Sequence, residues 1–436
     1  MALGGGTFLV QNKVLPGAYI NFVSAARASA NLSDRGIATI PLILDWGAQN
    51  EVMEVTPGDF QKNSLKLFGY DYTAPEMKGL RDLFKYIRLA YLYRLGRGEC
   101  KKAENAFATA KYAGTRGNEL KVVISKNVDD NTKFDVSLYF GLSLVKSQTV
   151  SSAADLVNND FVTWKTTATL AETPGTPLKG GTNPAVTNAD FQTYLDLMEG
   201  YNFNAIGCPS NDTAVKKLFA AFTERMRDGE GVKFQCVTYN HAANYEGVVN
   251  VMNNVTGSAA DEWKAIYWVT SVIAGTPVNQ SALNKVYDGE FTLNVTYKQK
   301  ELEKAIETGK FAFHRVGSDV RVLSDINSFV NVTLEKNEDF KQNQTIRVID
   351  QIANDIAVLF NTKYLGVVPN DAAGRISLWA DIVLHHEQLR EIRAIENFSD
   401  SDIVVEKGIP KRSVVVSDLV TVVNAMAQLY MTVMVA

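Results

Sequence analysis

The segment 413–436 reads SVVVSDLVTVVNAMAQLYMTVMVA. Chain ends are ordinarily polar and frayed. This one runs Leu429, Tyr430, Met431, Thr432, Val433, Met434, Val435, apolar at every position but Thr432. It is far shorter than the roughly 20 apolar residues that span a bilayer as a helix. Its composition favours a strand, and an unpaired strand of this kind is a template for aggregation. The chain must therefore place this segment in a sheet, its own or that of a neighbour.

A chain of 436 residues has room for two to four domains. Hydrophobic content of 46% and charged content of 21% fit a globular protein. The net charge of −4 argues against contact with nucleic acid, which needs a basic face. The start MALGGGTFLVQ lacks the cationic lead and long apolar core of a secretion signal. No run of 18 apolar residues suggests direct membrane insertion. Cys100, Cys208 and Cys236 are odd in number and far apart, so they read as reduced and buried, which suits assembly in a cytoplasm.

Along the chain the character changes several times. Residues 1–25 form an N-terminal β-arm: a glycine lead, Gly4 to Gly6, then short apolar runs broken by Pro16-Gly17, ending in Tyr19, Ile20, Asn21 and Phe22. Residues 26–98 read as the first part of an α/β core. A strand is expected at 37–44, a helix face at Met77, Leu80, Leu83, Phe84 and Ile87, and a further strand at 90–95. Residues 99–183 are β-rich. Apolar runs at 120–125 and 134–140 flank Asp129-Asp130-Asn131, a hairpin pattern, and Thr173-Pro174-Gly175-Thr176-Pro177 closes the block. An inserted β-rich domain is expected here.

Residues 184–335 resume the alternation as the second part of the core. Phe191, Tyr194, Leu195 and Met198 share a helix face, as do Val215, Leu218, Phe219, Phe222 and Met226; strands follow each. Residues 336–436 form a C-terminal α/β domain. A long helix carries Ile346, Ile349, Ile352, Ile356, Leu359 and Phe360 as a stripe, and a second helix covers 373–391. Valine-rich strands and the terminal apolar segment follow. The fold class is thus α/β and multidomain, with extended β-arms at both ends.

Chemistry-bearing patterns are sparse. His385-His386-Glu387 falls on a helix, but adjacent residues there point about 100° apart, and the metalloprotease pattern needs histidines at i and i+4. A solvated or interface helix face is the expectation. His241 and His314 have no acid or cysteine beside them and read as structural. Ser399-Asp400-Ser401-Asp402 lacks the glycine and late glutamate of a calcium loop and reads as an exposed turn or cap. The tract Ala113-Gly114-Thr115-Arg116-Gly117-Asn118 has no Lys-Ser or Lys-Thr after its glycines and reads as a tight turn. There is no Gly-x-Ser-x-Gly elbow and no Cys-x-x-Cys. No catalytic, cofactor-binding or metal residue is assigned.

An ordered set of short tracts resembles contractile phage tail sheath proteins, of myovirus-type tails and of phage-tail-like R-type bacteriocins. It begins at Leu15-Pro16-Gly17-Ala18-Tyr19-Ile20-Asn21-Phe22 and continues at Ser33-Asp34-Arg35-Gly36-Ile37 and through 41–47. It returns at 110–118, Ala274-Gly275, Asp325-Ile326-Asn327, 347–356, 363–370 and 423–435. Ala427-Gln428 departs from the pattern, which would have a Glu-Lys pair there.

The resemblance implies a structural subunit that forms stacked hexameric rings around a tail tube protein, meets baseplate and tail terminator proteins, and contracts to drive the tube through a target cell envelope. It implies arms that add strands to neighbouring subunits. The donor segments would be Tyr19, Ile20, Asn21 and Phe22, and Leu429 to Val435. The acceptor strands would be among Ile403, Val404, Val405 and 414–423, with Val414, Val415 and Val416 foremost. Residues 24–30 and 406–410 would be hinges. Burying about five apolar side chains of the tail yields roughly 8–15 kcal/mol. Ordering seven residues costs about 7–14 kcal/mol. One arm alone would hold weakly, and a closed lattice strongly. Two other readings remain open at this point. One is a different self-assembling shell or tube protein, and the other is an α/β hydrolytic enzyme working through scattered carboxylates.

Overall fold

The computed structural model describes residues 32–96 and 98–435. The donor segment proposed at Tyr19 to Phe22 and the hinge proposed at 24–30 lie outside them. The chain divides into two compact units. The larger is Asp34–Gln351 together with the segment from Val422; the smaller is Ile352–Thr421 together with the segment ending at Ser33.

In the larger unit the strands β1 (Ile37–Leu42), β2 (Val52–Val55) and β3 (Leu89–Arg94) belong to a six-stranded sheet. Between β2 and β3 run the helices α1 (Pro57–Phe68) and α2 (Lys78–Leu83). The start of α1 is written in Thr56-Pro57-Gly58-Asp59. Asp59 N–H donates to Thr56 Oγ1 at 3.1 Å and the Asp59 carboxylate takes the Thr56 N–H, a reciprocal cap with proline in the first turn.

The β-rich block follows as β4 (Lys102–Glu104), β5 (Ala108–Ala113), β6 (Leu120–Lys126), β7 (Phe134–Phe140), β8 (Ser143–Val150), β9 (Val162–Trp164) and β10 (Thr173–Pro177). They pair antiparallel as β4-β5-β9 and β10-β6-β7-β8. Alternate residues (Leu120, Val122, Ile124; Val136, Leu138, Phe140) point into one core with Trp46, Ala108, Val162 and Trp164. The expected hairpin is β6–β7, joined through Asp129 and Asp130. The glycine-rich tract is a turn, as expected. Gly114 sits at φ +141, where a Cβ would come within 1.9 Å of Asp45 O.

Strand–helix alternation resumes with α3 (Asn188–Met198), β11 (Ala205–Gly207), α4 (Thr213–Glu224), β12 (Gln235–Tyr239), β13 (Val248–Val251) and α5 (Ile266–Gly275). The six-stranded sheet has the order β13-β12-β11-β1-β3-β2, parallel except for β2 against β3. Its strands alternate between two cores. Ile206, Cys236 and Val248 pack with Phe191, Tyr194 and Phe219 from α3 and α4. Ala205, Val237 and Val249 pack with Leu80, Leu83, Trp268 and Val272 from α2 and α5. Helices on both faces explain why these strands are largely apolar, with buried polar exceptions such as Thr39, Gln235, Thr238 and Asn250. Cys208 and Cys236 are fully buried free thiols, whereas Cys100 is only half-buried.

After α6 (Gln299–Glu307) and the hairpin of β14 (Phe313–Val316) with β15 (Asp319–Val322), the helix α7 (Asn343–Leu359) begins. The expected apolar stripe is only part of its packing. Ile346 and Val348 are buried, but so are Asn343, Gln344, Thr345, Arg347, Asp350 and Gln351. These polar groups are matched. Asn343 Nδ2 donates to Asp325 Oδ1 at 2.9 Å, Arg347 Nη1 to Gln280 O at 2.7 Å, and Asp350 receives Arg227 from the turn after α4.

The smaller unit contains α8 (Ala372–Glu391), the two-residue strand β16 (Ile395–Glu396), and an antiparallel pair, β17 (Ile403–Lys407) with β18 (Val414–Asp418). The histidines of α8 correct the expectation of a solvated or interface face. His385 is 1% exposed and His386 0%. His385 Nε2 lies 3.0 Å from Asp355 Oδ2, and His386 Nε2 3.0 Å from Asp418 Oδ2. No helix among the described residues is long and apolar enough to cross a membrane.

Candidate assembly interface

The strands β17 and β18 form a two-stranded sheet with the register Val404↔Ser417, Val405↔Val416, Glu406↔Val415 and Lys407↔Val414. Among the described residues no third strand joins it, so both outer edges carry unpaired backbone groups. An isolated pair of strands is marginal in water. This one is held at its base. Trp379 Nε1 on α8 donates to Ile403 O at 3.0 Å, Ile403 is buried, and Asp418 opposite it faces His386. Ser399 and Asp402 close the turn before β17 as a reciprocal cap, as expected for that acidic tract.

Beyond the base the hairpin is exposed, with valines set beside Glu406, Lys407 and Ser417. Val404, Val415 and Val416 are 45%, 51% and 40% exposed. Valine on an open face of a water-washed hairpin costs solvation unless something covers it. The segment 406–410 does not behave as a free linker. It completes β17 and the turn, where Gly408 N–H donates to Ser413 O and Ser413 N–H to Pro410 O, both at 2.9 Å. The hinge expected there is corrected to a tied hairpin turn.

The C-terminal segment, in the larger unit, is fixed and then released. Gln344 Nε2 donates to Val423 O at 3.0 Å, Ala425 N–H donates to Gln344 Oε1 at 3.0 Å, and Thr345 Oγ1 contacts Asn424 Oδ1 at 3.2 Å. The chain beyond is open: Leu429, Tyr430, Met431, Val433, Met434 and Val435 are 69–93% exposed, and residues 423–435 are in no strand. The acceptor candidates named from the sequence, Ile403, Val404, Val405, Val414, Val415 and Val416, lie in one hairpin.

Two arrangements of the described residues bear on reaction chemistry. No group of three or more His, Cys, Asp or Glu side chains among them could hold a metal ion. The one Ser, His and Asp grouping has the wrong order. The Asp355 carboxylate receives both Ser33 Oγ (2.5 Å) and His385 Nε2 (3.0 Å), whereas a nucleophilic serine needs the imidazole between itself and the acid. Sequence patterns missed this cluster because Ser33 and Asp355 are 322 residues apart.

Four family models match in order along the chain. They are the tail sheath protein Gp18 domain III N-terminal region (35–95), the phage tail sheath protein beta-sandwich domain (96–183), the phage tail sheath protein central domain (184–328) and the phage tail sheath C-terminal domain (335–436). The Phage-like element PBSX protein XkdK of Bacillus subtilis (strain 168) is 31% identical across 99% of both chains. The crystal structure of a sheath tail protein from Desulfitobacterium hafniense is 33% identical, with a TM-score of 0.80 over 93% of this chain and all of that one. Another, from Listeria innocua, is 30% identical with a TM-score of 0.75 over 90% of this chain and 93% of that one. The contracted helical sheath of the anti-feeding prophage shares the fold at 13% identity and a TM-score of 0.59. A likeness that runs the length of the chain sets the hydrolase reading aside and accounts for surfaces left open to other subunits: the chain belongs to the phage tail sheath family, as a structural subunit of a contractile tail sheath.

Proposed function

We propose that this subunit polymerises by exchanging strands with its neighbours. The segment Leu429 to Val435 of one copy adds to the β17–β18 hairpin of another, and Tyr19 to Phe22 does so from the other end of the chain. The observation that carries the reading is a pair of complementary deficits. Among the described residues, the apolar tail has no strand partner and the valine-bearing hairpin has two open edges. Strand addition supplies main-chain hydrogen bonds to both and covers the valines.

In the assembled state six subunits form a ring, and rings stack helically around a tail tube between baseplate and tail terminator. Solved relatives of the same fold are a helical sheath and a baseplate of the anti-feeding prophage. The layout has five parts: N-terminal arm 1–25, α/β core 26–98 and 184–335, inserted β-rich domain 99–183, and C-terminal domain 336–436. The C-terminal domain faces the tube and the β-rich domain faces outward. Assembly takes place in the bacterial cytoplasm, with no nucleic-acid contact and no direct membrane insertion. Contraction rotates nearly rigid bodies while the exchanged strands keep subunits linked, and the energy is stored at assembly.

The test is electron microscopy of the full chain beside a version lacking 429–436. Tubes or ring stacks from the first and small particles from the second support strand exchange. Tubes of equal length from both overturn it. Because the deleted residues are exposed, the truncated subunit should unfold within about 0.5 kcal/mol of the parent.

A further inference from the structure

Where the chain enters the described residues, it is clamped within the smaller unit by α8 and by the C-terminal part of α7. Leu32 N–H donates to Gln388 Oε1 on α8 at 3.2 Å. Ser33 N–H donates to Asp355 Oδ2 on α7 at 3.2 Å, and the Ser33 hydroxyl donates to Asp355 Oδ1 at 2.5 Å. His385 Nε2 holds the same carboxylate at 3.0 Å. Asp355 is 8% exposed. A buried carboxylate is costly unless several donors satisfy it. Two of its bonds come from Ser33, in a stretch, residues 32–36, that has no helix or strand of its own.

Two residues later the chain is bound again, this time to the larger unit. Arg35 Nη2 donates to Ile273 O at 3.0 Å and Nε to Thr276 O at 3.2 Å; Gly36 N–H donates to Ala274 O at 3.1 Å. Only Asp34 lies between the two anchorages.

We infer that Asp355 is a positioning residue, fixing the root of the N-terminal arm to the unit that carries the β17–β18 hairpin. The root of the arm and the hairpin then travel as one body, and 33–35 is one of three places, with 351–352 and 421–422, where the chain crosses between the units and must take up any rotation of one against the other. This inference rests on the strand-exchange reading. An arm clamped at its root keeps a constant reach to its neighbour while the larger unit turns. An arm free to slide would slacken the link during the same motion. Gln388 and His385 act through the same clamp, Gln388 by holding Leu32 and His385 by holding the carboxylate.

The test uses the full chain with two variants, Asp355→Ala and the double variant Ser33→Ala with Gln388→Ala. The double variant leaves the buried Asp355–His385 pair intact and covers the case in which Asp355→Ala fails to fold. Hydrogen–deuterium exchange on unassembled subunits reads the amides at positions 32 and 33, with the hairpin 403–418 as the fold control. Electron microscopy of the same samples reads tube length. The expectation is at least tenfold faster exchange at 32 and 33, parent-like exchange in the hairpin, and tubes severalfold shorter. Unchanged exchange at 32 and 33 overturns the anchor. Faster exchange with tubes of parental length overturns its role in the lattice. If the parent itself makes no tubes, the strand-exchange reading fails, while the exchange data still decide the anchor.

Discussion

The guanidinium of Arg227 meets the carboxylate of Asp350 through two hydrogen bonds, Nη1 to Oδ2 at 2.6 Å and Nη2 to Oδ1 at 2.7 Å, with both side chains buried. Arg227 lies in a π-turn, Arg225–Gly229, that ends α4; Asp350 lies in the first half of α7. The same Nη1 donates to Phe234 O at 2.6 Å, so the pair also secures the entry to β12. A planar fork matched to a carboxylate is a specific joint as well as a strong one.

Breaking that joint from one side strands a charge. Arg227→Met should cost about 3–5 kcal/mol, and adding Asp350→Leu should recover much of the loss, because a buried pair replaced by apolar groups of like volume is often neutral. Urea unfolding of the tail-truncated subunit measures both. A single substitution that costs no more than the double would show the pair to be solvated.

Gly114 is irreplaceable for a geometric reason. Its φ of +141 is disfavoured for any other residue, and a Cβ there would press on the backbone oxygen of Asp45. Gly114→Ala should destabilise the β-rich block by at least about 2 kcal/mol. Thermal unfolding checks this. A melting temperature equal to the parent's would mean that the turn rearranges freely.

Asp82 gives the subunit a pH-dependent term. Burial pushes its carboxyl from 3.8 up to about 7, although Glu290 N–H donates to it. The folded state therefore holds the proton more tightly than the unfolded chain. This contribution is fully present below pH 4 and is lost as pH rises toward 7, on the order of 4 kcal/mol in all. Asp82→Asn should flatten the decline. Urea midpoints at intervals from pH 4.5 to 7.5 decide it, and parallel declines in parent and variant would place the ionisation elsewhere.

Much of the α/β core could be read from the chain. Strands such as β1 and β12 are buried on both faces, so they appear as mostly apolar runs interrupted by Thr39 or by Gln235 and Thr238, and α3 and α4 show one-sided stripes. The helix α1 is signalled at its start by Thr56-Pro57-Gly58-Asp59. What the sequence hides are pairings between distant polar residues. Arg227 and Asp350 are 123 residues apart, and nothing local marks either as buried. The same holds for His385 and His386, whose partners Asp355 and Asp418 come from other elements; adjacent histidines on a helix carry no sign of being enclosed. At the proposed interface, the valines of β17 and β18 were legible as strand formers, and the exposed tail as a segment in need of a sheet. The register between copies is written in neither.

The strand-exchange account is tested most directly by a photo-reactive cross-linker in place of Tyr430, in tubes assembled from a mixture of isotopically heavy and light subunits. The account predicts cross-links from position 430 to the hairpin 403–418, with about half of them joining a heavy copy to a light one when the two are mixed equally. Cross-links confined to single copies, or to surfaces other than the hairpin, would contradict it.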